Sequence, residues 1–447
     1  MIGPSIPTLI AVFAGLFACT TVNAAERPIT LETRLAQPVM KAGEKQNNYL
    51  RISLNGCKPA RPTERMPVNV ALVIDRSGSM AGERIAQARE AAIMAINRLD
   101  ANDIASVVVF DDKVDVLVPA QKVTDRGAFI DPIRQVGARG STAIYAGVIE
   151  GANEVKKHLD DRRLNRVVLL SDGKANVGPS KTDDFARLGR ELLKAGVSVS
   201  TIGLGNSYNE DLMLELAKAA DGNHAFAAAP DDLVEIFNRE FDEVLAACAQ
   251  MVSVDVEFNP NVRAVRAVSR EGDIAGQSAR FRLNQVYQET EHYLLLEIEV
   301  DAGAAAAERE IGRVRVSYMV PDSGRQLTLH APIRDRFSAS AEEVKAGTDQ
   351  TVLAAVIEQN ARERARKAIA SLDQGRFEEA IKLFEQNVAE ITAYMANGGR
   401  PSQPLAELAK LYHSYAARAA APAPQWNLYR KELRANDLSS AGSKIKY

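Results

Sequence analysis

Hydrophobic positions along this chain change their period three times. In residues 27–60 they alternate: Ile29, Leu31 and Leu35 share one face, as do Leu50, Ile52 and Leu54, which predicts two strands. From Val68 the pattern becomes strand then helix. Val68 to Ile74 is an apolar run suited to a strand covered on both faces. Gly82 to Leu99 carries Ile85, Ala88, Ala92, Ile96 and Leu99 on one helical stripe. Further strands are predicted at 105–110, 114–118, 166–170, 197–202 and 224–227, and helices at 126–135, 144–159, 183–194, 209–220 and 231–249. This alternation predicts a doubly wound, mostly parallel α/β sheet over 68–249, a class in which ligands bind beyond the carboxyl ends of the strands.

From Val252 the period returns to two. Val254, Val256 and Phe258 share a face, then Leu294, Leu296, Ile298 and Val300, then Val314, Val316, Tyr318 and Val320. An antiparallel β-sandwich over 252–335 is expected. Two strands alone bury no face, so those of 27–60 are expected to join this sandwich, with the α/β domain inserted between them. Residues 341–418 read as helices 342–373, 377–396 and 404–417, with Ala368, Leu372, Phe377, Ala380 and Phe384 inside a hairpin. The tail, 420–447, is rich in Ala, Pro, Ser and Lys and is expected to be flexible.

Ile6 to Ala18 is an apolar run too short to cross a bilayer, and Val22-Asn23-Ala24 follows with the small residues of a cleavage site. One reading makes 1–24 a signal peptide, although no Lys or Arg precedes the run, and sends the chain to the periplasm or outside the cell. A competing reading takes Leu16-Phe17-Ala18-Cys19 as a lipoprotein processing box and anchors the protein to the bacterial envelope through Cys19. No later stretch is long enough to span a membrane.

Composition removes other classes. With 447 residues, 46% of them hydrophobic, and a net charge of -3, the chain is an ordinary globular protein and not a nucleic-acid binder. Its five histidines show no metal-ligand spacing, which argues against zinc. Arg362-Glu363-Arg364-Ala365-Arg366-Lys367 reads as a solvated helical face. If Cys19 leaves with the signal, Cys57 and Cys248 remain, just before and just after the α/β domain. They read either as a disulfide clasping its base or as two unrelated thiols.

The chemistry lies in Val73-Ile74-Asp75-Arg76-Ser77-Gly78-Ser79-Met80, at the carboxyl end of the first central strand. Spacing by two sends Asp75, Ser77 and Ser79 to a common side, and such oxygens suit a hard cation. Gly140-Ser141-Thr142 and Ser171-Asp172-Gly173 end at the same sheet edge. Each residue also has a plainer reading: Ser79 and Thr142 as helix caps, Asp172-Gly173 as a turn.

Together these segments resemble the metal-ion-dependent adhesion site of the von Willebrand factor A family, over about 180 residues. A finer resemblance is to bacterial secreted members grouped with inter-alpha-trypsin inhibitor heavy chains and calcium-activated chloride channel homologues, carried by 75–82 and 165–178. The resemblance implies Mg²⁺, or Mn²⁺ or Ca²⁺, held directly by hydroxyls at Ser77, Ser79 and Thr142, with Asp75 and Asp172 acting through water. It also implies a binding role and not an enzyme: a protein partner would offer a carboxylate to the ion. The rival expectation is a structural scaffold of an envelope assembly, in which the metal only stabilises loops.

Overall fold

The computed structural model describes residues 28–57, 66–419 and 445–446, apart from 161, 174, 206, 207, 230, 306, 307, 322, 397 and 400–402. The expected signal segment, Cys19, the linker after Cys57 and nearly all of the tail lie outside the described residues.

Three strands open the described residues: β1 (Ile29–Leu35), β2 (Val39–Lys41) and β3 (Gln46–Gly56). The α/β domain follows, with strands β4 (Val68–Asp75), β5 (Ile104–Phe110), β6 (Val114–Lys122), β7 (Leu164–Ser171), β8 (Ser198–Leu204) and β9 (His224–Ala227). Its helices are α1 (Glu83–Arg98), α2 (Gly127–Arg134), α3 (Ile144–Lys156), α4 (Thr182–Lys194), α5 (Glu210–Ala219) and α6 (Asp232–Leu245). The sheet runs β6-β5-β4-β7-β8-β9 and is parallel except at β5–β6. Helices α1, α2 and α6 cover one face and α3, α4 and α5 the other, so every residue of β4 and β7 is buried. From β4 the chain winds outward to β6, then returns to β7 and winds the other way. The switch point therefore falls between β4 and β7, which place Asp75 and Asp172 at its carboxyl edge.

Strands β10 (Ala247–Phe258), β11 (Val262–Ala267), β12 (Asp273–Ala275), β13 (Ser278–Tyr287), β14 (Thr290–Val300), β15 (Arg309–Met319) and β16 (Gln326–Ser338) form two sheets with the opening strands. One runs β1-β3-β14-β11 and the other β12-β13-β10-β15-β16-β2. β3 pairs with β14 from Asn55–Glu291 to Gln46–Val300. Leu50, Ile52 and Leu54 thereby enter the same core as Val254, Leu294 and Val316, and the α/β domain is an insertion between β3 and β10. Helices α7 (Ala341–Ala346), α8 (Gln350–Asp373), α9 (Phe377–Ala396) and α10 (Gln403–Arg418) follow, and the short β17 (Ile445–Lys446) pairs with β14. Among the described residues no helix is long and apolar enough to cross a membrane.

Arg166 joins the two domains. It is buried at the start of β7, and its guanidinium donates to Glu240 on α6 and, at 2.7 and 2.8 Å, to Gln285 and the Tyr287 hydroxyl on β13.

Several sequence expectations are corrected. The last helix of the α/β domain stops at Leu245, and Ala247-Cys248-Ala249 belong to β10, because Ala247 pairs with Tyr287 across the sandwich sheet. The expected 342–373 helix is broken. Gly347 ends α7, and the Asp349 side chain caps α8 by accepting from the amides of Thr351 and Val352. Phe377 is 48% exposed instead of lying inside the hairpin. Arg362 is buried, in contrast to the solvated face read there, and pairs with Glu358 at 2.9 Å. Cys57 and Cys248 are free thiols, not the disulfide one reading expected.

Candidate metal centre at the switch point

β4 ends at Asp75, and the chain turns through Arg76 and Ser77 into a single 3-10 turn, Gly78–Met80. Met80 anchors that turn by entering the core beneath α1. The Asp75 carboxylate faces back along the loop: one oxygen accepts from the Ser77 amide at 2.7 Å and the other from the Ser171 hydroxyl at 2.5 Å. Ser77 and Ser79 hold their hydroxyl oxygens 3.1 Å apart. Ser79 Oγ then donates to Asp172 Oδ1 at 2.6 Å, linking the loop after β4 to the one after β7.

Thr142 arrives from the third loop. Its amide donates to Asn176 Oδ1 at 2.8 Å, and its carbonyl accepts from the Asn176 and Val177 amides. Gly173 measures how near it comes. A Cβ built there would lie 3.0 Å from Thr142 Oγ1 and 3.4 Å from Asp75 Oδ2, so both oxygens border one small space that only glycine leaves open. The structure therefore brings together all five residues singled out in the sequence.

The capping readings fail. The residue preceding α1 is Gly82 and that preceding α3 is Ala143, and neither helix has a side-chain cap. Ser79 and Thr142 direct their polar groups to the shared edge.

Two buried carboxylates so close together are electrostatically expensive. Burial pushes the Asp75 carboxyl up to about 6, against hydrogen bonds from Ser171 and Ser77, and the charge of Asp172 adds to the rise. Among the described residues, the cation in contact with this pair is Arg84 on α1. Its Nη1 donates to Asp172 Oδ2 at 2.6 Å and to the Ser79 carbonyl at 3.0 Å.

A second cluster frames the site. Asp111, just past β5, accepts from Arg76 Nε at 2.8 Å, Arg139 Nε at 2.9 Å and the Lys113 amide at 2.8 Å. Burial works to raise its carboxyl, but Arg139, the Lys113 amide and Arg76 outweigh that and hold it at about 2. The backbone locks these loops together: Gly78 N to Gly140 O at 3.0 Å, Arg139 N to Arg76 O at 2.6 Å and Ala143 N to Asp111 O at 2.8 Å. Gly140 has φ +70°, the left-handed region that favours glycine, and a Cβ on it would also press on Asp111 Cβ at 3.0 Å.

The donor set, two carboxylates and three hydroxyls, fits a hard divalent cation. Among the described residues no cluster of three or more His, Cys, Asp or Glu forms a competing metal site. Sequence reasoning missed Arg84, Ser171, Asn176 and the Arg76–Asp111–Arg139 cluster. Ser171 and Arg76 adjoin residues singled out in the sequence and so offered a signal, whereas Arg84 and Asp111 offered none.

Residues 69–239 match the family model for the von Willebrand factor type A domain, and the chain contains such a domain. It is 28% identical over 316 residues to uncharacterized protein sll0103 of Synechocystis sp., covering 68% of this chain and 74% of that one. It is 31% identical over 173 residues to the inter-alpha-trypsin inhibitor heavy chain H3 of Rattus norvegicus, but those are 36% of this chain and only 19% of the heavy chain. Among solved structures, a von Willebrand factor type A protein from Catenulispora acidiphila superposes with a TM-score of 0.65 at 16% identity, covering 84% of this chain and 90% of that one. The ArnB paralog VWA2 from Sulfolobus acidocaldarius gives 0.62 at 16% identity over 94% and 100% of the two chains. At such identity the likeness is one of fold, and its coverage extends it past the A domain to the sandwich and helices.

Proposed function

We propose that this protein is an extracytoplasmic binding module that holds a divalent ion, Mg²⁺ first among candidates, and through it engages a carboxylate on a partner protein. The observation carrying this reading is the convergence of Asp75, Ser77, Ser79, Thr142 and Asp172 on one sheet edge, with two buried carboxylates that need positive charge. Ser77, Ser79 and Thr142 would hold the ion, and Asp75 and Asp172 would orient and balance it. The ion supplies an electrophilic position for an anionic ligand. Ser171 and Arg84 fix the two carboxylates, and the Asp111 cluster holds the loops that carry them. The extracytoplasmic part of the proposal rests on the sequence of residues 1–24.

The scaffold alternative, in which metal only stiffens loops, is less well supported. The three loops are already tied by direct backbone hydrogen bonds. Calorimetric titration of Mg²⁺ and Mn²⁺ into chelator-stripped protein tests the proposal, with Asp75→Ala as the control. Saturable binding abolished in the variant supports it. No binding by a folded wild type removes it.

A further inference from the structure

Arg84 divides Asp172 with Ser79: one carboxylate oxygen takes the hydroxyl and the other takes the guanidinium, each at 2.6 Å. The guanidinium also bonds the Ser79 carbonyl and passes beside Gly205, where a Cβ would stand 3.6 Å from Nη2. It is thus held by the loop after β4 as well as by the carboxylate, with its side chain 37% exposed. The other nearby arginines are occupied: Arg76 and Arg139 both bond Asp111 and Asp115.

This placement fixes the charge of the site. Asp75 and Asp172 alone would neutralise a divalent ion and leave little to attract an anion. With Arg84 cancelling one of them, the loaded site keeps a single positive charge. The same guanidinium repels an incoming cation and so weakens its binding. We infer that Arg84 is a specificity-determining residue: it lowers the site's affinity for the divalent ion and in exchange keeps the loaded site cationic, selecting a carboxylate ligand. The inference rests on the metal-bridging reading above.

The test uses the full chain as wild type, Arg84→Gln and Arg84→Lys. Mg²⁺ affinity is measured by calorimetry after chelator treatment. Access of acetate to the ion is measured from paramagnetic relaxation of its methyl protons in the Mn²⁺-loaded protein. Arg84→Gln is expected to bind Mg²⁺ about 10-fold more tightly and acetate about 10-fold more weakly. Arg84→Lys, which keeps the charge, should stay within about 3-fold of wild type in both. A purely structural arginine would give the opposite sign for the metal, because a released Asp172 would degrade the site. Weaker or unchanged Mg²⁺ binding in Arg84→Gln, or unchanged acetate binding, overturns the inference while leaving metal bridging intact. Absence of Mg²⁺ binding in wild type overturns both.

Discussion

The Ser79 hydroxyl donates to Asp172 at 2.6 Å across 93 positions of chain, joining the loops on either side of the switch point. Ser79 thus belongs at once to the proposed ion-binding set and to the bridge between its halves. Ser79→Ala should reduce Mg²⁺ affinity by at least about 10-fold. It should also cost about 1 kcal/mol of stability without metal, since a buried carboxylate loses a donor. Paired calorimetric and thermal-melt measurements check both effects.

Asp75 should behave in the opposite way. Its folded value, about 6, lies above the ordinary 3.8, so the folded state holds its proton more tightly. That stabilising contribution is full below about pH 4 and is lost as pH rises through 6. Asp75→Asn should therefore bind no Mg²⁺ yet raise metal-free stability at pH 7.5 by about 1–3 kcal/mol. In wild type, the Mg²⁺-induced rise in melting temperature should grow from pH 5 to pH 7.5, because the ion no longer competes with a proton. A flat profile would contradict this assignment.

Arg166 lies at the other end of the domain, where it holds α6 against the sandwich through Glu240, Gln285 and Tyr287. Arg166→Met leaves Glu240 buried without its cation and should cost about 3–5 kcal/mol. The Arg166→Met, Glu240→Gln double variant should recover part of that loss. Denaturant melts of the single and double variants measure it.

The thiols differ sharply. Cys57 is half-buried, whereas Cys248 is buried and burial pushes its thiol up to about 12. Of these two thiols, maleimide should label only Cys57 in the reduced folded protein, and both in denaturant. A Cβ on Gly56, beside Cys57, would stand 3.1 Å from Cys248 Sγ, so the pair sits at the neck between the domains. Oxidised glutathione should therefore remove the Cys57 label reversibly, ending in a Cys57–Cys248 disulfide that retains no glutathione, whereas Cys248→Ser should stop at the mixed disulfide and retain glutathione mass on Cys57.

Most of the candidate site was legible because it is local. Asp75, Ser77 and Ser79 share one turn, and β4 and β7 announce themselves as buried apolar runs. The Asp111 cluster and Arg84 were not legible, because an arginine on an amphipathic helix reads as solvated until its partner is known. Boundaries failed where tertiary pairing overrode local preference. Ala247-Cys248-Ala249 continues a helical pattern, yet β13 offers it a strand partner.

By itself the sequence determined the alternating periods, hence the α/β insertion, and the residue types able to ligate a hard cation. Only the tertiary structure decided that Thr142 and Asp172 meet Asp75 at one edge, that Arg84 pairs with Asp172 there and that Arg166 bolts the domains together. Periodicity is a property of neighbouring residues. A charge balance depends on side chains far apart in the chain, and folding alone brings them within hydrogen-bonding reach.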